Sequence, residues 1–255
     1  ASGSGAIVMN TGSSISTNGG NITLGGGSAG TGADFAIGNA TNPNGVLLNG
    51  ASLSSAGGDI TLRGKSSADA SYYDYRSDGV RLRDADANVN INSGTGKISI
   101  TGISQTTYAD SGNGVEIGTY GVPTYATTLT TSNSTASAIN ITGTGSSSNT
   151  PTNSNGVLLS AKASILSTNA SGGTINLVGN GNKQGGVYTF VGARVLSAKG
   201  DINITGSATT DKLNSIALRG AKLGYDTTDI TTSSANINLT SDAMAIETNS
   251  ALKTT

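Results

Sequence analysis

The chain has 255 residues, and Gly, Ser, Thr and Asn supply 133 of them, while charged residues are 11%, aromatics 4% and the formal net charge is −1, with no His, Cys or Trp. A nucleic-acid partner needs a basic surface to neutralise phosphates, and an anionic membrane needs a polybasic stretch, so both partners are excluded. The Ser-His and Cys-His nucleophile pairs and every His- or Cys-ligated metal site are excluded too, and no apolar run approaches the ~20 residues of a membrane-inserted helix.

Disorder usually brings high net charge, many Pro and few β-branched residues. Here Pro numbers 3 and Ile, Val and Thr are plentiful, so the chain is expected to fold. With only 35% apolar residues, its core must be narrow and built in repeated layers. The lack of Cys suits a secreted protein that crosses membranes without cross-linking.

In chain order, the first element is a short alternating stretch, Gly5-Ala6-Ile7, followed by Gly20-Asn21-Ile22-Thr23-Leu24. The next unit is fuller: Gly45-Val46-Leu47-Leu48, then Ala51-Ser52-Leu53, then Gly58-Asp59-Ile60-Thr61-Leu62-Arg63-Gly64. Gly79-Val80-Arg81-Leu82 precedes Gly96-Lys97-Ile98-Ser99-Ile100-Thr101-Gly102, and Gly114-Val115-Glu116-Ile117 precedes Ala138-Ile139-Asn140-Ile141-Thr142-Gly143. Gly156-Val157-Leu158-Leu159 with Ala163-Ser164-Ile165 leads to Gly173-Thr174-Ile175-Asn176-Leu177. Gly186-Val187 through Val195 leads to Gly200-Asp201-Ile202-Asn203-Ile204, and Ser215-Ile216-Ala217-Leu218 to Ala235-Asn236-Ile237-Asn238-Leu239. Ile22, Ile60, Ile98, Ile139, Ile175, Ile202 and Ile237 thus recur at steps of 38, 38, 41, 36, 27 and 35 residues.

Each unit reads as three stretches of period two separated by Gly, Ser or Asn turns. In a strand this puts Ile60 and Leu62 on one face and Thr61 on the other. Three strands in about 20 residues cannot bury their apolar sides as a flat sheet, but they can form the sides of a triangular coil, and stacked coils enclose one apolar core. The expected fold is all-β: a three-sided parallel β-helix, or β-solenoid, of about seven to eight coils, a single domain over 1–255 on the order of 35 Å long. Ile22, Ile60, Leu62, Val80, Ile98, Ile139, Val157, Ile175, Ile202 and Ile237 are its expected core. A β-sandwich also suits regularly spaced strands, but sandwich strands have no reason to repeat paired motifs in one order. The first coil is expected at about 5–25 and a partial last coil at about 243–255. The variable steps place loop insertions at 25–44, 65–78, 103–113, 118–137, 144–155 and 207–214, mostly at one corner, where a rod would present binding loops.

The repeat style, together with the string Asn42-Pro43-Asn44-Gly45-Val46, resembles the secreted passengers of filamentous-haemagglutinin-type and related β-strand-repeat bacterial adhesins. The resemblance implies a right-handed β-helix, secretion to the bacterial cell surface, and a role in adhesion or biofilm. Ser77-Asp78-Gly79, Gly112-Asn113-Gly114 and Ser154-Asn155-Gly156 repeat the string's ending, so it also reads as a corner turn in which Asn and Gly tolerate positive φ.

Tyr72, Tyr73 and Tyr75 beside Arg76, Arg81 and Arg83 form the densest aromatic and charged segment and are the candidate ligand-binding residues, with surface glycans as the expected ligand. The alternative is a loop laid on the rod, with Arg81, Arg83, Asp84 and Asp86 neutralising one another. Asp84 and Asp86, two apart, also suggest a glycosidase-like carboxylate pair and hence a carbohydrate-active β-helix enzyme, although the adjacent arginines would keep both ionised. No catalytic residue is assigned, and a non-enzymatic rod is the leading expectation. No metal or cofactor is expected, because the Gly-Gly-x-Gly-x-Asp repeat of calcium β-rolls is missing. The outward series Thr23, Thr61, Ser99, Asn140, Asn176, Asn203 and Asn238 is not a regular Thr array and reads as an amide ladder. Neither end carries a polar cap, so the expected partners are other copies stacked end to end or the rest of a longer adhesin chain.

Overall fold

The computed structural model describes residues 5–27, 33–68, 76–107, 112–119, 121, 124–148, 153–209 and 214–254. Among these are 24 strands in three parallel eight-stranded sheets. The first sheet stacks Ile7–Met9, Val46–Asn49, Val80–Arg83, Val115–Ile117, Val157–Leu159, Val187–Thr189, Ile216–Leu218 and Met244–Ile246. The second stacks Ser14–Ser16, Ser52–Ser54, Val89–Asn92, Thr127–Thr131, Ala163–Ser167, Arg194–Ser197, Lys222–Gly224 and Ala251–Leu252. The third holds Ile22–Leu24, Ala36–Ile37, Ile60–Lys65, Ile98–Ile103, Ile139–Thr144, Ile175–Gly181, Ile202–Ala208 and Ile237–Ser241. The chain visits the sheets in turn, which makes a three-sided parallel β-helix of about eight coils.

Alternation puts one apolar row of each sheet inside, where a single cluster runs from Met9 to Leu223. Ile60, Leu62, Val80, Ile98, Ile139, Val157, Ile175 and Ile202 are fully buried there, and Ile22 is buried in the first coil. Ile237 is only half-buried, because its strand is the outermost of the third sheet. The register never slips: Ile60, Ile98, Ile139, Ile175 and Ile202 are direct partners although the steps between them run from 27 to 41 residues. Outside the third sheet, Asn176 Nδ2 donates to Asn140 Oδ1 at 2.8 Å, Asn203 Nδ2 to Asn176 Oδ1 at 2.9 Å and Asn238 Nδ2 to Asn203 Oδ1 at 2.8 Å, forming the amide ladder. At the corner between the second and third sheets, buried hydroxyls satisfy turn carbonyls: Ser93 Oγ donates to Gly96 O at 2.7 Å and Ser197 Oγ to Gly200 O at 2.6 Å.

At the corner between the third and first sheets, the four rungs from Gly64 to Gly186 leave no room for side chains. A Cβ on Gly64, Gly102, Gly143 or Gly179 would lie 1.9–2.0 Å from the carbonyl oxygen of Gly79, Gly114, Gly156 or Gly186 in the next coil. A Cβ on Gly79, Gly114 or Gly156 would in turn lie 2.1–2.2 Å from the backbone nitrogen of Ile103, Thr144 or Asn180. Backbone therefore meets backbone across the corner, and the insert between each glycine pair leaves through a closed neck. This corrects the turn reading of Asn44-Gly45 and its equivalents: Gly45, Gly79, Gly114 and Gly156 do not have positive φ and are required by close approach. Asn44 and its counterparts instead link coils. Asn44 Oδ1 accepts Asp78 N at 2.9 Å, Asp78 Oδ1 accepts Asn113 N at 2.8 Å, and Asn113 Oδ1 accepts Asn155 N at 3.2 Å.

Two insert boundaries are also corrected. The 118–137 span contains the strand Thr127–Thr131, paired on both sides, with only Leu129 as a large apolar residue to betray it. The 25–44 span contains Ala36–Ile37, which resumes the interrupted strand of the first coil: Leu24 faces Leu62, and Ala36 faces Gly64. Residues 225–236 form a further insert, between the second and third strands of the seventh coil. Gly143→Ala should destabilise the chain by more than about 3 kcal/mol or prevent folding, because the new methyl would overlap the Gly156 carbonyl, which is backbone and has no rotamer to yield. Gly20→Ala, whose Cβ would meet nothing nearer than Thr17 at 3.6 Å, should change stability by less than about 0.5 kcal/mol. Urea unfolding of the two variants measures the difference.

Candidate functional site

The outer face of the first sheet is unusual because its middle row is largely covered. In register this row reads Leu47, Arg81, Glu116, Leu158, Tyr188, Ala217. Arg81, Glu116, Leu158, Tyr188 and Ala217 are buried, even though they point away from the core. The described residues beside the glycine necks bring Arg76, Asn153, Asn155 and Gln184 onto this face.

At one end of the row lies a charged cluster. Asp78 and Glu116 are fully buried. Arg76 Nη1 donates to Glu116 Oε1, and Arg81 Nε sits 3.7 Å from Glu116 Oε2 and 3.8 Å from Asp78 Oδ2. Burial, and then the negative charge of Glu116, hold the Asp78 carboxyl well above the usual carboxylate range against the opposing pull of Arg81. Two guanidiniums therefore face two carboxyls in a dry site, and the cost of burying the two carboxyls side by side falls on Asp78.

Further along the row, a cleft of about 290 Å³ opens over the sheet. Its apolar wall is Leu158, Tyr188 and Phe190, with the two rings edge-to-face at 5.2 Å between centroids. Asn153, Asn155 and Gln184 supply amides, and Arg76 and Arg219 supply guanidiniums at either side. Arg219 Cζ lies 5.0 Å above the Tyr188 ring, and its Nε donates to Glu247 Oε1 at 2.7 Å. Asn155 is buried, with Nδ2 bonded to Asn113 Oδ1 at 3.0 Å. Its Oδ1 is a buried acceptor without a donor.

Of the candidate ligand-binding residues, Arg76 lines the cleft, and Tyr72, Tyr73 and Tyr75 lie outside the described residues. Arg81 is buried in the ion cluster, and Arg83 is half-buried opposite Asn49. Arg81 therefore pairs with Asp78 and Glu116 rather than with Asp84 or Asp86, since strand register brings Glu116 beside it. Asp84 and Asp86 do not share an environment: Asp84 is fully buried at the corner following the strand, and Asp86 is exposed and accepts from Asn49 Nδ2 at 3.1 Å. Burial pushes the Asp84 carboxyl up, and the groups that pull it down are Thr119, Thr127 and backbone N–H rather than the adjacent arginines. Tyr188, Phe190 and Arg219 escaped sequence reasoning because Arg219 lies one coil on from the two rings and joins them only through the coil register.

A second insert, 225–236, covers the outer face of the second sheet, where Ile230 packs on Leu166 and Leu196. Arg194 pins it, with Nη1 donating to Asp226 Oδ2 at 2.8 Å and also to Asp229, while Nη2 reaches Ser164 Oγ at 2.9 Å. Burial alone would raise the Asp226 carboxyl, but the backbone N–H of Thr228 and the guanidinium of Arg194 bring it well below the usual range. Among the described residues no group of three or more His, Cys, Asp or Glu side chains is placed to hold a metal ion.

Comparison of the chain with protein-family models, curated proteins and solved structures finds no match.

The two carboxyls impose opposite pH dependences. The raised pKa of Asp78 contributes stability that is fully present below its unfolded value and is lost as pH rises through the folded one. Asp78→Asn, which installs the amide found at 44, 113 and 155, should therefore be more stable than wild type at pH 7, with the gap narrowing in acid. Thermal melts at both pH values measure this. The depressed pKa of Asp226 acts the other way, so Asp226→Ala should destabilise by about 2 kcal/mol at pH 7, from the lost charge-assisted bonds. That cost should shrink below about pH 4, where the carboxyl is protonated in the unfolded chain, as urea titrations across the acid range would read.

Proposed function

We propose that the chain is a non-enzymatic extracellular rod that mediates attachment at the bacterial surface through the segments leaving its glycine corner. One observation carries this reading: coil register is unchanged while the connections at that corner vary in length, so the solenoid acts as a rigid support and the connections are what it presents. The coverage of the first sheet's outer face, and the cleft it leaves, supply a contact surface of the kind such a rod needs. The last coil supports the expected partnership along the axis. Its inward row leaves Met244 and Ile246 exposed, at 40% and 52%, and a further coil from a second copy or a longer chain would cover them.

Beads coated with the purified chain should be retained on cell or biofilm surfaces under shear in excess of albumin-coated beads, and a broad polysaccharide panel should yield no released sugar. Retention equal to albumin would remove the adhesive role. Product release would replace it with the enzyme reading.

A further inference from the structure

The cleft on the first sheet carries more specific chemistry than a generic contact surface. Its two guanidiniums are already neutralised, Arg76 by Glu116 and Arg219 by Glu247, so it offers little net charge to an acidic group. The aromatic wall is a pair of rings, of which Phe190 is the more exposed. Facing this wall are planar amides that both donate and accept, and the buried Oδ1 of Asn155 has no donor. One C–H-rich face to lie on a ring, several hydroxyls to meet amides and no charge together describe a pyranose. The cleft volume of about 290 Å³ is at the small end of ligand sites, of a size for one or two sugar rings.

We propose that this cleft binds a neutral saccharide unit, with Phe190 as the stacking surface and the amides of Gln184 and Asn153 meeting its hydroxyls and orienting the ring. The inference rests on the adhesive reading and names its ligand class.

Saturation-transfer NMR on the full chain with cellobiose, maltose, lactose and mannobiose, against digalacturonate as the acidic comparator, tests it. At least one neutral disaccharide should bind saturably and more tightly than the acidic one, and Phe190→Ala should weaken it roughly tenfold or more with the melting temperature retained. If Phe190→Ala fails to fold, Gln184→Ala serves in its place and should also weaken binding. Absence of saturable binding by every neutral sugar, preference for the acidic one, or equal binding by the folded variant would each overturn the proposal. So would saturable binding of a random hexapeptide pool in place of sugars. The same disaccharide should release retained beads. Beads retained but indifferent to sugar would sink the saccharide assignment and leave attachment standing, whereas beads not retained at all would sink attachment itself.

Discussion

Everything in this fold depends on how closely the backbone passes itself at the corner between the third and first sheets. There the end of one strand and the start of the next approach until a Cβ would sit about 2 Å from a carbonyl oxygen, and in the four rungs from Gly64 to Gly186 glycine occupies both sides. The consequence is topological as much as steric. Because Gly102 and Gly114, or Gly143 and Gly156, hold the neck shut, the residues between them add nothing to the path of the coil. Connections of 11 residues, 103–113, and of 6 residues, 180–185, then produce the same rung. The inward Ile, Leu and Val rows need only stack in register, and the hydrophobic burial that results is continuous along the axis.

The polar residues that dominate the composition are distributed by the same geometry. Ser and Thr at the corner between the second and third sheets cap turn carbonyls, Asn on the outer face of the third sheet forms a ladder, and Asn or Asp before the first-sheet glycines ties each coil to the next. Each group places a polar side chain where a backbone or neighbouring amide already needs a partner, which is how a chain with so thin a core satisfies its buried hydrogen-bonding groups. Charge is used sparingly, and mainly where inserts are fastened to the rod: Arg76 with Glu116 under the first-sheet cover, and Arg194 with Asp226 under the second.

Most of the solenoid was legible in the sequence because its signal is local and repeated. Period-two alternation around Ile60 or Ile175, with a glycine on each side, identifies the strand, its inward face and its neighbours without any long-range information. The strand Thr127–Thr131 was hidden because Thr occupies the inward positions 127 and 131, and Ala36–Ile37 because an insert separates it from the strand it completes. The contact surface was less legible for a different reason. Arg76 was visible as part of a conspicuous segment, but Tyr188, Phe190 and Arg219 are isolated residues in unremarkable coils, and only the coil register gathers them. Burial of Asp84 beside an exposed Asp86 likewise follows from a corner that ends the strand, which sequence spacing alone had continued through both residues.

The claim that register survives any insert length can be tested by cross-linking, because the chain has no native cysteine to interfere. Ser99 pairs with Asn140 and Asn176 pairs with Asn203 on the solvent side of the third sheet, at adjacent-strand spacing of about 4.8 Å, within disulfide reach. The double variants Ser99→Cys with Asn140→Cys and Asn176→Cys with Asn203→Cys should both oxidise to intramolecular disulfides, whereas Asn140→Cys with Asn203→Cys, two rungs apart, should not. Failure of the first pair while the second closes would mean that the longer connection displaces its coil, and closure of the two-rung pair would contradict the stacking itself.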